Sequence, residues 1–231
     1  MLFFTVLSNY YLSMNKQIKG KINKTMPLSN TNKLKTKQKL LKVGLQLFSS
    51  YGFEGVSISD LERAVGLKAG TGSFYRHFDN KLELLHAIAE KEIEEASIRR
   101  TKELGALESK NTDFKESLQE HFELALEGLY QSDTSLRLFM REKEHFPDLF
   151  LQFRSEVLDK AQATVIEHYA KKINSRDLIQ VDPIMLTTIV QSALFGFSQA
   201  KLFMGEVIDD EFERNFIETL LEIVVNKLLT S

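Results

Sequence analysis

Cysteine and tryptophan are absent from the chain, and proline occurs only at positions 27, 147 and 183. Without cysteine there is neither a disulfide framework nor a thiolate metal site, so no oxidising compartment is required, and a cytoplasmic location is expected. Long apolar runs are missing too. Met1–Leu12 is apolar and aromatic but lacks a basic start and a small-residue cleavage site, and it is too short to span a bilayer. Strand-like alternation is scarce. What is plentiful is an apolar spacing of three and four from Thr36 to Leu229, the signature of an all-α protein.

The net charge of −2 conceals a division. Residues 1–81 hold 13 Lys/Arg against four acidic residues, a net of +9, and the remaining 150 hold 17 against 28, a net of −11. A basic first third on an acidic remainder is expected where one end meets a polyanion. Residues 1–35 are rich in Lys and Asn and read as a basic arm, with Met14 and Met26 as alternative starts.

Glycine is concentrated: six of the eleven lie between Gly44 and Gly72. Leu40, Leu41, Leu45, Leu47, Phe48 and Tyr51 form the apolar face of a first helix, closed by Gly52 as a left-handed cap. Ser57 and Asp60 have the spacing of a capping box for a second helix, with Ile58, Leu61, Ala64 and Val65 inward and Gly66 at its end. A Gly-rich turn leads to Phe74, Tyr75 and Phe78. Asn80 then caps a helix from Lys81 to about Leu104, with Leu82, Leu85, Ile88, Ala89 and Ile93 as its core face.

Three pieces, LLKVGLQLFSSYGF, SISDLERAVGL and FYRHFDNK leading into LELLHAI, resemble the TetR family of repressors over about 50 residues. The resemblance implies an N-terminal helix-turn-helix over 36–81, a connecting helix over 82–112, and a helical regulatory and dimerisation domain over 113–231. The stretch LKAGTGS between Gly66 and Phe74 is about two residues longer than the commoner family pattern. Ser57, Lys68, Thr71, Ser73, Tyr75, Arg76, His77 and Lys81 are the expected DNA contacts. Small hydroxyls at a helix N-terminus suit phosphate or base edges, and the basic and aromatic groups suit the backbone and groove.

Helices are expected near 113–130, 134–144, 147–173, 183–204 and 209–229, with Pro147 and Pro183 in first turns and Asp182 as a cap. Ile184–Ala200 runs 17 residues without a charge, and Thr188, Ser192, Gly196 and Ala200 recur every four. With Phe216, Leu220 and Val224 on the last helix they are the expected homodimer seam, a four-helix bundle. His121, Phe139, Met140, Phe150, Tyr169, Gln191 and Phe195 are candidates to line a pocket for an apolar or amphipathic effector.

Other chemistries fit less well. The Gly-rich turn has no following Lys and no preceding strand, so it is no nucleotide cradle. Glu83–His86 and Glu142–His145 have di-metal carboxylate spacing, but the second pair sits in a charged run that reads as a solvated face. No cofactor motif is present, and the chain does not read as an enzyme. A DNA-binding regulator is expected, acting as a ligand-responsive repressor on a palindromic operator. An architectural DNA binder without an effector is the alternative.

Overall fold

The structure is a computed structural model; it describes residues 33–70, 72–108, 114–174 and 182–229. Among these every regular element is helical: α1 (Lys33–Tyr51), α2 (Ile58–Ala64), a 3-10 turn (Phe74–Arg76), α3 (Lys81–Leu107), α4 (Phe114–Glu142), α5 (Pro147–Phe153), a π-helical turn (Arg154–Asp159), α6 (Lys160–Asn174), α7 (Pro183–Met204), a second 3-10 turn (Gly205–Val207) and α8 (Asp210–Leu229). Two expected helices, 113–130 and 134–144, are one. Nothing in Gln131–Asp133 breaks a helix, and α4 runs through them. The helix expected over 147–173 is instead interrupted by the π turn.

The chain forms two compact units. The first takes the described residues up to Glu92 together with Thr134–Leu151; the second takes Ile93–Asp133 and the chain from Gln152 onward. Both α3 and α4 therefore contribute a segment to each unit.

In the first unit α1 buries Leu40 and Phe48, and α3 buries Leu84, Leu85, Ile88 and Ala89. Gly44 lets these two helices close: a Cβ there would sit 3.0 Å from Ile88 Cδ1 and 3.1 Å from Leu84 Cδ2. Leu84 takes the core position expected of Leu82, which is 40% exposed. Ala64 is likewise exposed, because α2 turns Leu61, Glu62 and Val65 inward.

The second unit is built around Leu118, Phe122 and Leu126 of α4, Val165 and Tyr169 of α6, Leu186, Val190, Leu194 and Phe197 of α7, and Ile217, Leu220, Leu221 and Val224 of α8. Asp182 caps α7 by accepting from Ile184 N–H at 2.9 Å, with Pro183 in the first turn, as expected. The acidic rim is tied down as well. Glu213 accepts from Tyr130 Oη at 2.7 Å and from Lys201 Nζ at 2.7 Å, joining α4, α7 and α8. Burial, then the Glu213 carboxylate, push the Tyr130 phenol well above its usual range, and the Glu213 hydrogen bond raises Lys201.

Candidate nucleic-acid interface

The helix-turn-helix begins with a cap that closes in both directions. Asp60 N–H donates to Ser57 Oγ at 3.1 Å, and Ser57 N–H donates to Asp60 Oδ2 at 3.1 Å. Ser57 Oγ also donates to Asp60 Oδ2 at 2.6 Å. The Ser57 hydroxyl and backbone hold the Asp60 carboxyl below its ordinary range, with Arg63 assisting. Ser57, expected at the DNA, has its hydroxyl proton committed to this cap.

The reading segment is shorter than a helix. Only Phe74–Arg76 are helical, in one 3-10 turn, preceded by Gly70 and Gly72 at φ of +75° and +69°. An L side chain at either position would be strained, and a single turn retains few of its own hydrogen bonds. Rigidity comes from below. Phe74 and Phe78 are fully buried, as expected, with ring centroids 5.8 Å apart. Tyr75 lies edge-on to Phe74 at 5.7 Å yet is 56% exposed, and Arg76 and Lys68 are also exposed. Ser73 and His77 are half-buried beside them, and Thr71 lies outside the described residues.

Glu62, which sequence reasoning passed over, is buried beneath this segment. Its Oε2 accepts Gly70 N–H at 2.7 Å, its Oε1 accepts Phe74 N–H at 3.0 Å, and its main-chain carbonyl accepts Leu67 N–H at 2.8 Å. A signal existed: Glu62 falls four after Ile58, on the inward stripe with Leu61 and Val65.

Lys81, another expected DNA contact, turns its ammonium onto the protein's own backbone. Nζ donates to Phe53 O at 2.7 Å and to Val56 O at 3.0 Å, and lies 4.2 Å from the Phe53 ring centroid. Two of its three protons thus secure the loop between α1 and α2, and only the third remains for phosphate. A second clamp comes from the end of α4. Glu142 Oε1 accepts Phe53 N–H at 2.9 Å, and Arg141 donates to Ser50 O at 3.0 Å and Ser49 O at 3.3 Å. Glu142, expected on a solvated face, is buried. Among the described residues no group of three or more His, Asp or Glu comes together to hold a metal.

The expected effector residues do not form one group. Phe139, Met140 and Phe150 belong to the first unit, and His121, Tyr169, Gln191 and Phe195 to the second. Phe139 is buried core, while Met140 is 46% and Phe195 42% exposed. In the second unit His121 and Tyr169 meet edge-on at 6.4 Å, fully buried. His121 Nδ1 and Tyr169 Oη have no hydrogen-bond partner among the described residues. Burial, with the neighbouring His168, pushes His121 down to about 4, so it is neutral at pH 7; burial pushes the Tyr169 phenol well up.

The expected dimer residues also divide. Thr188, Ser192 and Gly196 are exposed, and a Cβ on Gly196 would meet open space. Ala200 is half-buried. Leu220 and Val224 are buried in the chain's own core, and Phe216 stacks on Phe197 at 4.0 Å. The face α8 leaves open instead carries Phe212 and Ile223, 56% and 61% exposed.

Among the described residues every regular element is helical, with a capped helix-turn-helix in the first unit and a helical second unit, which is a TetR-like fold. Residues 40–88 match the family model described as bacterial regulatory proteins, tetR family. Solved structures agree on the fold. The ketosteroid transcriptional regulator KstR2 of Mycobacterium tuberculosis superposes with a TM-score of 0.62 at 13% identity, covering 90% of this chain and 100% of its own. The TetR family regulator PfmR from Thermus thermophilus gives 0.61 at 22% identity, covering 79% and 97%. The fatty acid degradation regulator FadR from Bacillus halodurans gives 0.56 at 14% identity, covering 85% and 96%. No curated protein sequence matches significantly. Among the described residues no helix is long and apolar enough to cross a membrane.

Proposed function

We propose that this chain is a ligand-responsive repressor that binds a near-palindromic operator as a homodimer. The observation that carries the DNA reading is the turn at Phe74–Arg76. It is anchored by two buried rings and presents Tyr75 and Arg76, with Lys68 before it, in a segment, residues 36–81, that holds seven Lys/Arg against four acidic residues. Tyr75 and Arg76 supply groove and phosphate contacts, Lys68, Ser73 and His77 flank them, and Lys81 offers its remaining proton to the backbone. Selection of bound sequences from random duplex DNA tests this directly. Recovery of an inverted repeat is expected, and failure to enrich any sequence overturns the reading.

Homodimerisation is supported by α7, whose exposed face carries Met185, Ile189, Ser192 and Gly196, and by Phe212 and Ile223 on α8. An apolar face of this kind calls for a partner helix. The two-fold mates of α7 and α8 supply it in a four-helix seam.

The effector site is centred on His121 and Tyr169. A buried polar atom without a partner costs about 1–3 kcal/mol, and an apolar effector carrying an uncharged oxygen or nitrogen would pair both. One structural neighbour bears a name that refers to ketosteroids, apolar molecules with uncharged oxygens, and another a name that refers to fatty acid degradation. A coupling of about 1–3 kcal/mol would change operator affinity 5- to 150-fold. Thermal-shift screening of steroids and long-chain acyl compounds, followed by anisotropy on the selected operator, tests it. A stabilising compound that leaves operator affinity unchanged would show a pocket without coupling, and the absence of any hit would favour an architectural DNA binder.

A further inference from the structure

The reading segment poses a mechanical problem. Seven residues, two of them glycines, separate Gly66 from Phe74, and the stretch ends in one 3-10 turn rather than a helix. Gly70 and Gly72 both take positive φ, a conformation that glycine tolerates at the cost of the largest backbone entropy of any residue. The α2 helix places one side chain where it answers this. The two oxygens of Glu62 take different N–H groups, Gly70 at 2.7 Å and Phe74 at 3.0 Å, so one rigid carboxylate spans the loop and the first residue of the turn. The Glu62 carbonyl fixes the near end through Leu67 N–H. At 1% exposure the carboxylate is shielded from water, and charge-assisted bonds of this kind are about twice as strong as neutral ones.

We propose that Glu62 is the positioning residue of the reading head: its carboxylate fixes the Gly70 and Phe74 backbone, and the discrimination between operator and other DNA depends on that placement. The inference rests on the DNA-binding reading above. Phosphate attraction is a matter of charge and survives a loose loop, whereas base-edge contacts require fixed geometry. Glu62 therefore acts on the ratio of specific to non-specific affinity.

The test uses the full chain and the isosteric Glu62→Gln variant, in which one oxygen remains an acceptor and the other becomes an amide that cannot accept. Anisotropy is measured on the duplex selected by the wild type and on a scrambled duplex of equal length, each over a salt series. The specificity ratio is expected to fall at least about tenfold, with scrambled-duplex affinity and its salt slope unchanged. Glu62→Ala should lower the ratio further. Should the alanine variant unfold, amide exchange on the wild type and on Glu62→Gln decides the matter. The Gly70 and Phe74 amides are expected to be protected in the wild type and to lose protection in the variant. Gly52 N–H, bonded to Phe48 O, keeps its protection in both. Unprotected Gly70 and Phe74 amides in the wild type, or an unchanged specificity ratio in Glu62→Gln, overturn the proposal. A wild type that selects no sequence overturns the DNA reading and the role of Glu62 in it. The exchange result still separates that failure from a carboxylate that does not hold the loop.

Discussion

The Phe53 backbone N–H donates to Glu142 Oε1 at 2.9 Å, across 89 residues of sequence. This bond joins the end of α1, where the chain turns toward the capped α2, to the last residue of α4. Gly52 beside it has φ +79°, and a Cβ there would sit 3.2 Å from the same oxygen. The carboxylate is therefore fitted to a glycine and would not tolerate much else.

Replacing Glu142 by Ala leaves the buried Phe53 N–H without its acceptor. A loss of about 1.5–3 kcal/mol is expected, since the bond is to a charged group. Urea unfolding at neutral pH measures it. Stability equal to wild type would show that Glu142 is dispensable, as a solvated residue would be.

Lys81→Met keeps the stem over Phe53 and removes the donors to Phe53 O and Val56 O. A loss of about 1–2 kcal/mol is expected, discounted because the side chain is only half-buried. DNA binding should weaken on all sequences alike, with the salt slope reduced by roughly one ion. A lower slope with unchanged stability would mean that the ammonium serves phosphate alone.

Gly196→Leu separates the protomer from the dimer. The added side chain enters open space within one chain, so the folding of the protomer should change little. At a close two-fold seam the same side chain overpacks, at a cost of about 1–3 kcal/mol. Sedimentation should show a shift toward monomer and anisotropy a weaker operator complex. A variant that stays fully dimeric would move the seam off this face.

His121 gives stability a pH dependence of definite sign. Its folded pKa, pushed by burial down to about 4, lies below the unfolded value near 6.5. The stabilisation is complete above pH 6.5 and is lost as pH falls toward 4, by about 2 kcal/mol between pH 7.5 and 5. Glu103 opposes it: burial raises its carboxyl to about 7, so its contribution is complete below about 4.5 and is lost as pH rises through 7. His121→Phe isolates the first effect. Urea melts at pH 7.5 and pH 5 should show the variant gaining on wild type at the lower pH. A constant difference between the two proteins would mean that His121 is not buried neutral.

Tyr169→Phe removes a hydroxyl that has no partner among the described residues. Stability without effector should therefore stay level or rise, whereas the thermal shift produced by an effector found in the screen should shrink. A marked loss of stability would show that the hydroxyl is already satisfied within the fold.

Much of this protein was legible from local pattern. The three-and-four spacing gave helices, the Ser57–Asp60 and Asp182–Pro183 pairs gave their starts, and Phe74 and Phe78, four apart, declared a buried anchor. These features depend on neighbours a few residues away, where helix geometry leaves little choice. Charged residues were another matter. Glu62, Lys81 and Glu142 look like surface groups in sequence, yet each is turned onto backbone N–H or carbonyl groups. The N–H held by Glu142 is 89 residues away, and the carbonyls held by Lys81 are 25 and 28 away. Likewise, the apolar arc of α8 could not announce that Leu220 and Val224 serve the chain's own core while Phe212 and Ile223 remain open. Sequence determined that the chain is helical and where the capped helices at Ser57 and Asp182 begin, because those are local free energies. Only the tertiary structure decided which partner satisfies each buried charge and which side of an apolar helix is left exposed, because those depend on groups that folding alone brings together.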